Sequence, residues 1–118
     1  MQFNPNIPIY LQIMEDIKKS IVTGSLAQGE RVESVRALAD KYEVNLNTMQ
    51  RACSELERQQ VINTQRGVGS FVTGDEKIII RLKNEMSDRL IQSFTREMKE
   101  IGYTPQEILT LVKKEMDQ

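Results

Sequence analysis

The chain has 118 residues, enough for about one domain with a short appended element, and no segment approaches the ~20 apolar residues of a membrane helix. It contains no histidine and a single cysteine, Cys53, which excludes an intrachain disulfide and a Cys/His zinc site. Its 16 basic and 17 acidic residues give a net charge of −1, and this balance argues against strong non-specific binding to nucleic acid.

The first 42 residues predict two helices. Pro8 suits the first turn of a helix because its missing N–H would have no partner there, and Gly24 is a typical helix stop. Between them, apolar residues recur at spacings of three and four and form one face: Tyr10, Ile13, Met14, Ile17 and Ile21. Ser34 is a good N-cap for a second, shorter helix that runs to about Tyr42.

A third helix is predicted to begin after Asn45, whose side chain can cap it. One face is apolar and comprises Met49, Ala52, Cys53 and Leu56. The other face carries the amide, hydroxyl and guanidinium groups of Asn47, Thr48, Gln50 and Arg51, which can contact base edges and phosphates in a major groove. The alternative is an ordinary amphipathic helix with a solvated polar face. Because only a two-residue turn precedes it, we interpret helices two and three as a helix-turn-helix.

A β-hairpin is predicted directly after this helix. Residues 61–65 and 70–73 are rich in β-branched and aromatic side chains, and the linker Arg66-Gly67-Val68-Gly69 contains two glycines. A hairpin in this position is a wing, whose tip can bring Arg66 to a minor groove or a phosphate.

Five stretches carry a family resemblance. In order they are residues 8–13, 24–31, 34–39, 45–52 with the following Leu56 and Glu57, and 66–72. Together they resemble the winged-helix domain of the GntR transcription regulators. Two positions depart from the family pattern: Glu33 replaces a usual proline, and Leu46 replaces an arginine or proline, leaving at most an apolar contact such as one with a thymine methyl group.

The resemblance implies roles for individual residues. Arg36 would contact DNA from the start of the second helix, and Ser34 and Asn45 would lie at helix N-termini that face phosphates. The major groove would be contacted by Asn47, Thr48, Gln50 and Arg51, and the wing tip would comprise Arg66, Gly67 and Gly69. The alternative for Arg36 and Arg51 is a surface ion pair with Glu33, Glu55 or Asp40.

The tail predicts two further helices. The first begins near Glu76 and ends at Gly102. The second is predicted to begin with the capping box Thr104-Pro105-Gln106-Glu107, which has proline at the first helical position. We expect the apolar faces of these helices to form a homodimer interface through Leu90, Phe94, Met98, Ile101, Ile108, Leu111 and Val112. The alternative is a helical hairpin folded within one chain. The short tail is similar to that of the YtrA-type subfamily, which has a helical dimerisation tail.

The sequence therefore predicts a mainly α protein with a small β-hairpin: a winged helix-turn-helix domain over residues 1–74 and a two-helix dimerisation tail over residues 75–118. We expect a cytoplasmic bacterial transcription regulator, a repressor, which binds a palindromic double-stranded DNA operator as a homodimer. The alternative function is a winged-helix module for protein interaction without specific DNA binding. No cofactor, metal site, membrane partner or catalytic constellation is expected, and the sequence identifies no small-molecule effector.

Overall fold

The computed structural model describes all 118 residues and divides them into two compact units, Met1–Leu82 and Lys83–Gln118. The elements in chain order are α1 (Ile9–Thr23), β1 (Arg31–Val32), α2 (Val35–Tyr42), α3 (Leu46–Arg58), β2 (Ile62–Gln65), β3 (Gly69–Val72), α4 (Glu76–Glu100) and α5 (Pro105–Met116). The mainly α fold with a hairpin after the third helix is confirmed. None of the helices combines the length and apolar character that a membrane span requires.

Local signals in the sequence fix the ends of the helices in the first unit. Gly24 ends α1 with a left-handed φ of 83°, which glycine adopts without strain. Ser34 and Asn45 cap α2 and α3 by accepting backbone N–H groups of the first turn. Glu43, with φ of 56°, ends α2 in the left-handed region and so makes the tight turn between α2 and α3.

The core of the first unit forms where α3 packs against α1 and α2. Ile13 of α1 and Met49, Ala52 and Leu56 of α3 are each 0% exposed. Cys53 is also buried, and burial raises the pKa of its thiol, as expected for a small packing residue rather than a reactive one.

The sheet contains one strand, β1, that the sequence analysis did not predict. β1 pairs with β3, and β3 pairs with β2, both antiparallel, giving the order β1-β3-β2. Val32, Ile62 and Val72 are the buried side chains of these strands. The hairpin is therefore attached through β3 to β1, the strand that precedes α2. This pairing restricts the position of the hairpin within the unit.

The second unit comprises the rest of α4 together with α5. Gly102, with φ of 98°, lies between the two helices. The predicted capping box is confirmed: Thr104 Oγ1 accepts the N–H of Glu107, and Glu107 Oε1 accepts the N–H of Thr104 at 2.9 Å. The backbone N–H of Thr104, and then its side-chain hydroxyl, lower the pKa of the Glu107 carboxyl, because hydrogen bonds to the carboxylate stabilise its charged form.

A hydrogen bond from Tyr42 connects α2 to α1, and it makes the stability of the fold decrease at alkaline pH. Its hydroxyl donates a hydrogen bond of 2.7 Å to Asp16 Oδ2. Burial, and then the Asp16 carboxylate, raise the pKa of Tyr42 well above its ordinary value of 10.0. Since the unfolded chain loses this proton more readily, the stabilisation is complete below about pH 10 and is lost as the pH rises further.

Tyr42→Phe should therefore lower the free energy of unfolding at pH 7 by about 1–2 kcal/mol, because the donor to a carboxylate is lost. It should also flatten the fall in stability above pH 10. Urea unfolding followed by circular dichroism at several pH values would measure both effects. Parallel curves for the two proteins above pH 10 would show that Tyr42 does not cause the alkaline loss.

Candidate nucleic-acid interface

The N-terminal end of α3 presents the polar side chains that the sequence predicted. Asn45 Oδ1 accepts the N–H of Thr48 at 2.8 Å, which fixes where the helix starts. Asn47, Gln50 and Arg51 are exposed and Thr48 is half-buried. Leu46, the first residue of α3, is 44% exposed. The first two turns of α3 therefore offer amide and guanidinium donors beside one apolar side chain, near the end where the helix dipole favours anions.

The start of α2 adds a second helix N-terminus to the same unit. Ser34 Oγ accepts the N–H of Ala37 at 3.1 Å, and Arg36 is exposed in the first turn. Ser34, Gln50 and Gly69 line a common groove of about 330 Å³ between the helices and the hairpin. The other predicted DNA-contacting residues lie outside this groove.

The wing tip is held by an arginine that the sequence reading did not select. The N–H of Val68 donates to the carbonyl of Gln65 and closes the turn, which leaves Arg66 and Gly67 exposed. Arg31 of β1 donates from Nη2 to the carbonyl of Val68 at 2.7 Å. In the sequence, Arg31 was noted only as the last residue of the 24–31 stretch that carries the family resemblance, with no role assigned to it.

Glycine at position 69 is favoured by its backbone conformation, and its lack of a side chain leaves room for the Arg31 guanidinium. Its φ is 144°, a conformation that L side chains rarely adopt. A Cβ built there would lie 2.9 Å from Nη2 of Arg31. The Arg31 guanidinium and a side chain at position 69 thus compete for the same space, and the glycine allows the arginine to reach the wing turn.

Two of the acidic residues considered as partners for Arg36 and Arg51 are paired with other cations. Glu33 lies 3.6 Å from Lys41, and Glu55 accepts a hydrogen bond of 2.6 Å from Arg58. The hydrogen bond from Arg58 lowers the pKa of the Glu55 carboxyl, and the charge of Arg51 lowers it further. Arg51 also stacks on an aromatic ring: its Cζ lies 4.0 Å from the centroid of Tyr10 in α1.

Comparison with known proteins agrees with this arrangement of helices and wing. A family model for bacterial regulatory proteins, gntR family, matches residues 9–72. The chain belongs to the GntR family. YhcF of Bacillus subtilis, an uncharacterized HTH-type transcriptional regulator, is 38% identical over 112 residues, which cover 95% of this chain and 93% of the relative.

Two further comparisons extend the match. A GntR family transcriptional regulator from Listeria monocytogenes superposes with a TM-score of 0.89 at 42% identity, covering 95% of this chain and 98% of that one. YtrA of Bacillus subtilis, an HTH-type transcriptional repressor, is 37% identical over 79 residues, which cover 65% of this chain and 61% of the relative. This GntR protein is thus a transcription regulator with a helix-turn-helix DNA-binding domain.

The tail of this GntR regulator carries a separate apolar groove between α4 and α5, within the second unit. Five of the predicted interface residues line it, together with Ile91, Met116 and Glu115: Leu90, Phe94, Met98, Leu111 and Val112. Ile101 is 71% exposed but does not line the groove. Ile108 is 5% exposed, so it is already covered within one chain and has little surface left for a second copy.

Gly69→Ala should destabilise the hairpin, because the new Cβ meets the Arg31 guanidinium and the backbone must keep a strained φ. We expect a loss of about 1–3 kcal/mol in unfolding free energy. Gly74→Ala is the matched control, since a Cβ at Gly74 meets nothing within 4 Å. Thermal unfolding of both variants measures the difference, and equal melting temperatures would contradict the requirement for glycine at position 69.

Proposed function

We propose that this GntR regulator is a repressor that binds a palindromic operator as a homodimer. In this proposal, residues 1–74 bind DNA and residues 75–118 pair the two copies. The observation that carries the proposal is the combination in one unit of two capped helix N-termini, exposed polar side chains in the first two turns of α3 and an arginine at the wing tip. The relative YtrA is named a transcriptional repressor, which supports repression rather than activation.

The charge distribution favours two copies over one. The predicted DNA surface has three exposed arginines, Arg36, Arg51 and Arg66, while two other cations of the same unit are paired with glutamates. Affinity for duplex DNA grows with the number of phosphates that a protein neutralises, and each one changes the slope of log affinity against log salt by about −0.9. Three arginines neutralise few phosphates, so a single copy would bind duplex DNA weakly. A second copy doubles these contacts, and its two-fold symmetry requires an operator with two inverted half-sites.

The tail groove supplies a surface for that pairing. Leu90 and Phe94 line a groove whose surface is almost entirely apolar. Both side chains are nevertheless exposed to solvent in the single chain, Leu90 by 70% and Phe94 by 39%. Burying such side chains contributes roughly 25 cal/mol per Å² of apolar area. A second copy of the same groove provides an apolar surface of the same character, which is how a two-fold interface is built.

Specific DNA binding is tested with duplexes enriched from a random pool by the wild-type chain. Arg51→Ala should weaken binding to the selected duplex by about 1–3 kcal/mol if Arg51 contacts a base. Arg58→Ala removes the same charge from the other end of α3, where Arg58 is paired with Glu55, and should change affinity less than about twofold. Failure of the wild-type chain to enrich any duplex, or equal losses for both variants, would contradict the proposal.

The homodimer is tested by sedimentation of the full chain over a range of concentrations. Phe94→Glu should weaken association at least about tenfold, because a charge would be buried in the apolar interface. Leu109→Glu is the control: Leu109 is 65% exposed on α5 and does not line the groove. A wild-type chain that sediments as a 13.6 kDa monomer at every concentration would refute the dimer.

A further inference from the structure

The contact between Arg51 and Tyr10 joins the predicted DNA surface to the first helix. Arg51 Cζ lies 4.0 Å from the centroid of the Tyr10 ring, within the distance at which a guanidinium is attracted to an aromatic face. Arg51 is exposed and Tyr10 is half-buried. The guanidinium is therefore held at the protein surface by a ring that is itself partly enclosed.

The ring has a fixed position because α1 packs against α3. Tyr10 lies one helical turn before Ile13 and Met14, which are 0% and 3% exposed. On α3, Arg51 directly precedes Ala52, which is 0% exposed. Both side chains of the stacked pair thus emerge at the edge of the same tightly packed core, which limits their relative motion.

Stacking leaves the hydrogen-bonding groups of the arginine available for a ligand. A guanidinium contacts a ring through its face, while its five N–H donors lie in its plane and point outward from its edge. Arg51 shares one side of α3 with Asn47, four residues earlier. The edge of the stacked guanidinium can therefore bind a phosphate or a base beside this amide.

We propose that Tyr10 is a positioning residue for DNA binding: its ring holds Arg51 in the orientation in which the guanidinium contacts the operator. This inference rests on the proposed function. An arginine already held in its bound orientation loses less side-chain freedom on binding, which raises affinity without adding a contact. Tyr10 therefore increases affinity only when Arg51 is present.

The test is a double-mutant cycle on the duplex enriched by the wild-type chain. Tyr10→Leu removes the aromatic face but keeps an apolar side chain, and it should weaken binding about two- to fivefold, the ratio expected for an exposed cation–π contact. In the Arg51→Ala background the same change should have no effect on affinity. Tyr10→Phe keeps the ring and should bind as the wild type does.

Three results of the cycle would overturn the role of Tyr10. Equal losses for Tyr10→Leu in both backgrounds would mean that the ring only supports the fold or contacts DNA itself. A loss for Tyr10→Phe as large as for Tyr10→Leu would assign the effect to the hydroxyl group. Tighter binding by Tyr10→Leu would mean that stacking withholds Arg51 from DNA.

A second measurement separates positioning from folding and from the proposed function. The Nε–H signal of Arg51 in the NMR spectrum of the DNA-free chain should show a ring-current shift that Tyr10→Leu removes and Tyr10→Phe retains. Absence of this shift in the wild type would refute the stacking. A wild-type chain that enriches no duplex would refute the proposed function, whereas enrichment without coupling would refute only the role of Tyr10.

Discussion

The packing of α3 against α1 is the constraint on which the rest of the first unit depends. Met49, Ala52 and Leu56 have no exposed surface, so α3 cannot rotate about its axis without exposing apolar atoms to water. This fixes which residues of its first turn face outward. Binding groups on a helix that is already fixed by core packing lose little conformational entropy when they bind a ligand. A chain with balanced charge gains little affinity from electrostatic attraction, so this saving in entropy matters more to it.

Much of the fold was predictable because its signals are local. The caps at Ser34, Asn45 and Thr104 and the stop at Gly24 are single residues with a definite backbone preference, and each lies where the sequence placed it. β1 was missed because two residues cannot display an alternating pattern. That strand exists only through its pairing with β3, about 40 positions later in the chain.

The candidate site likewise has features that follow from local sequence and features that depend on residues far apart in the chain. Exposure of Asn47 and Gln50 follows from helical periodicity, whereas the Tyr10–Arg51 stack depends on the axial register of α1 against α3, which no local pattern encodes. In the tail, periodicity identified apolar residues but not what covers them. Ile108 is covered within its own chain and Leu90 is not, although both were equally apolar in the sequence.

The closeness of Gly69 and Arg31 has a consequence for how this wing can change during evolution. Shortening Arg31 would make room at position 69, but a new side chain there would still have to adopt a φ of 144°. Enlarging position 69 first would displace the arginine from the Val68 carbonyl. Because a side chain at position 69 is strained whatever residue stands at position 31, glycine should be retained there as lineages diverge, whereas Arg31 can be replaced at the cost of its hydrogen bond to the Val68 carbonyl.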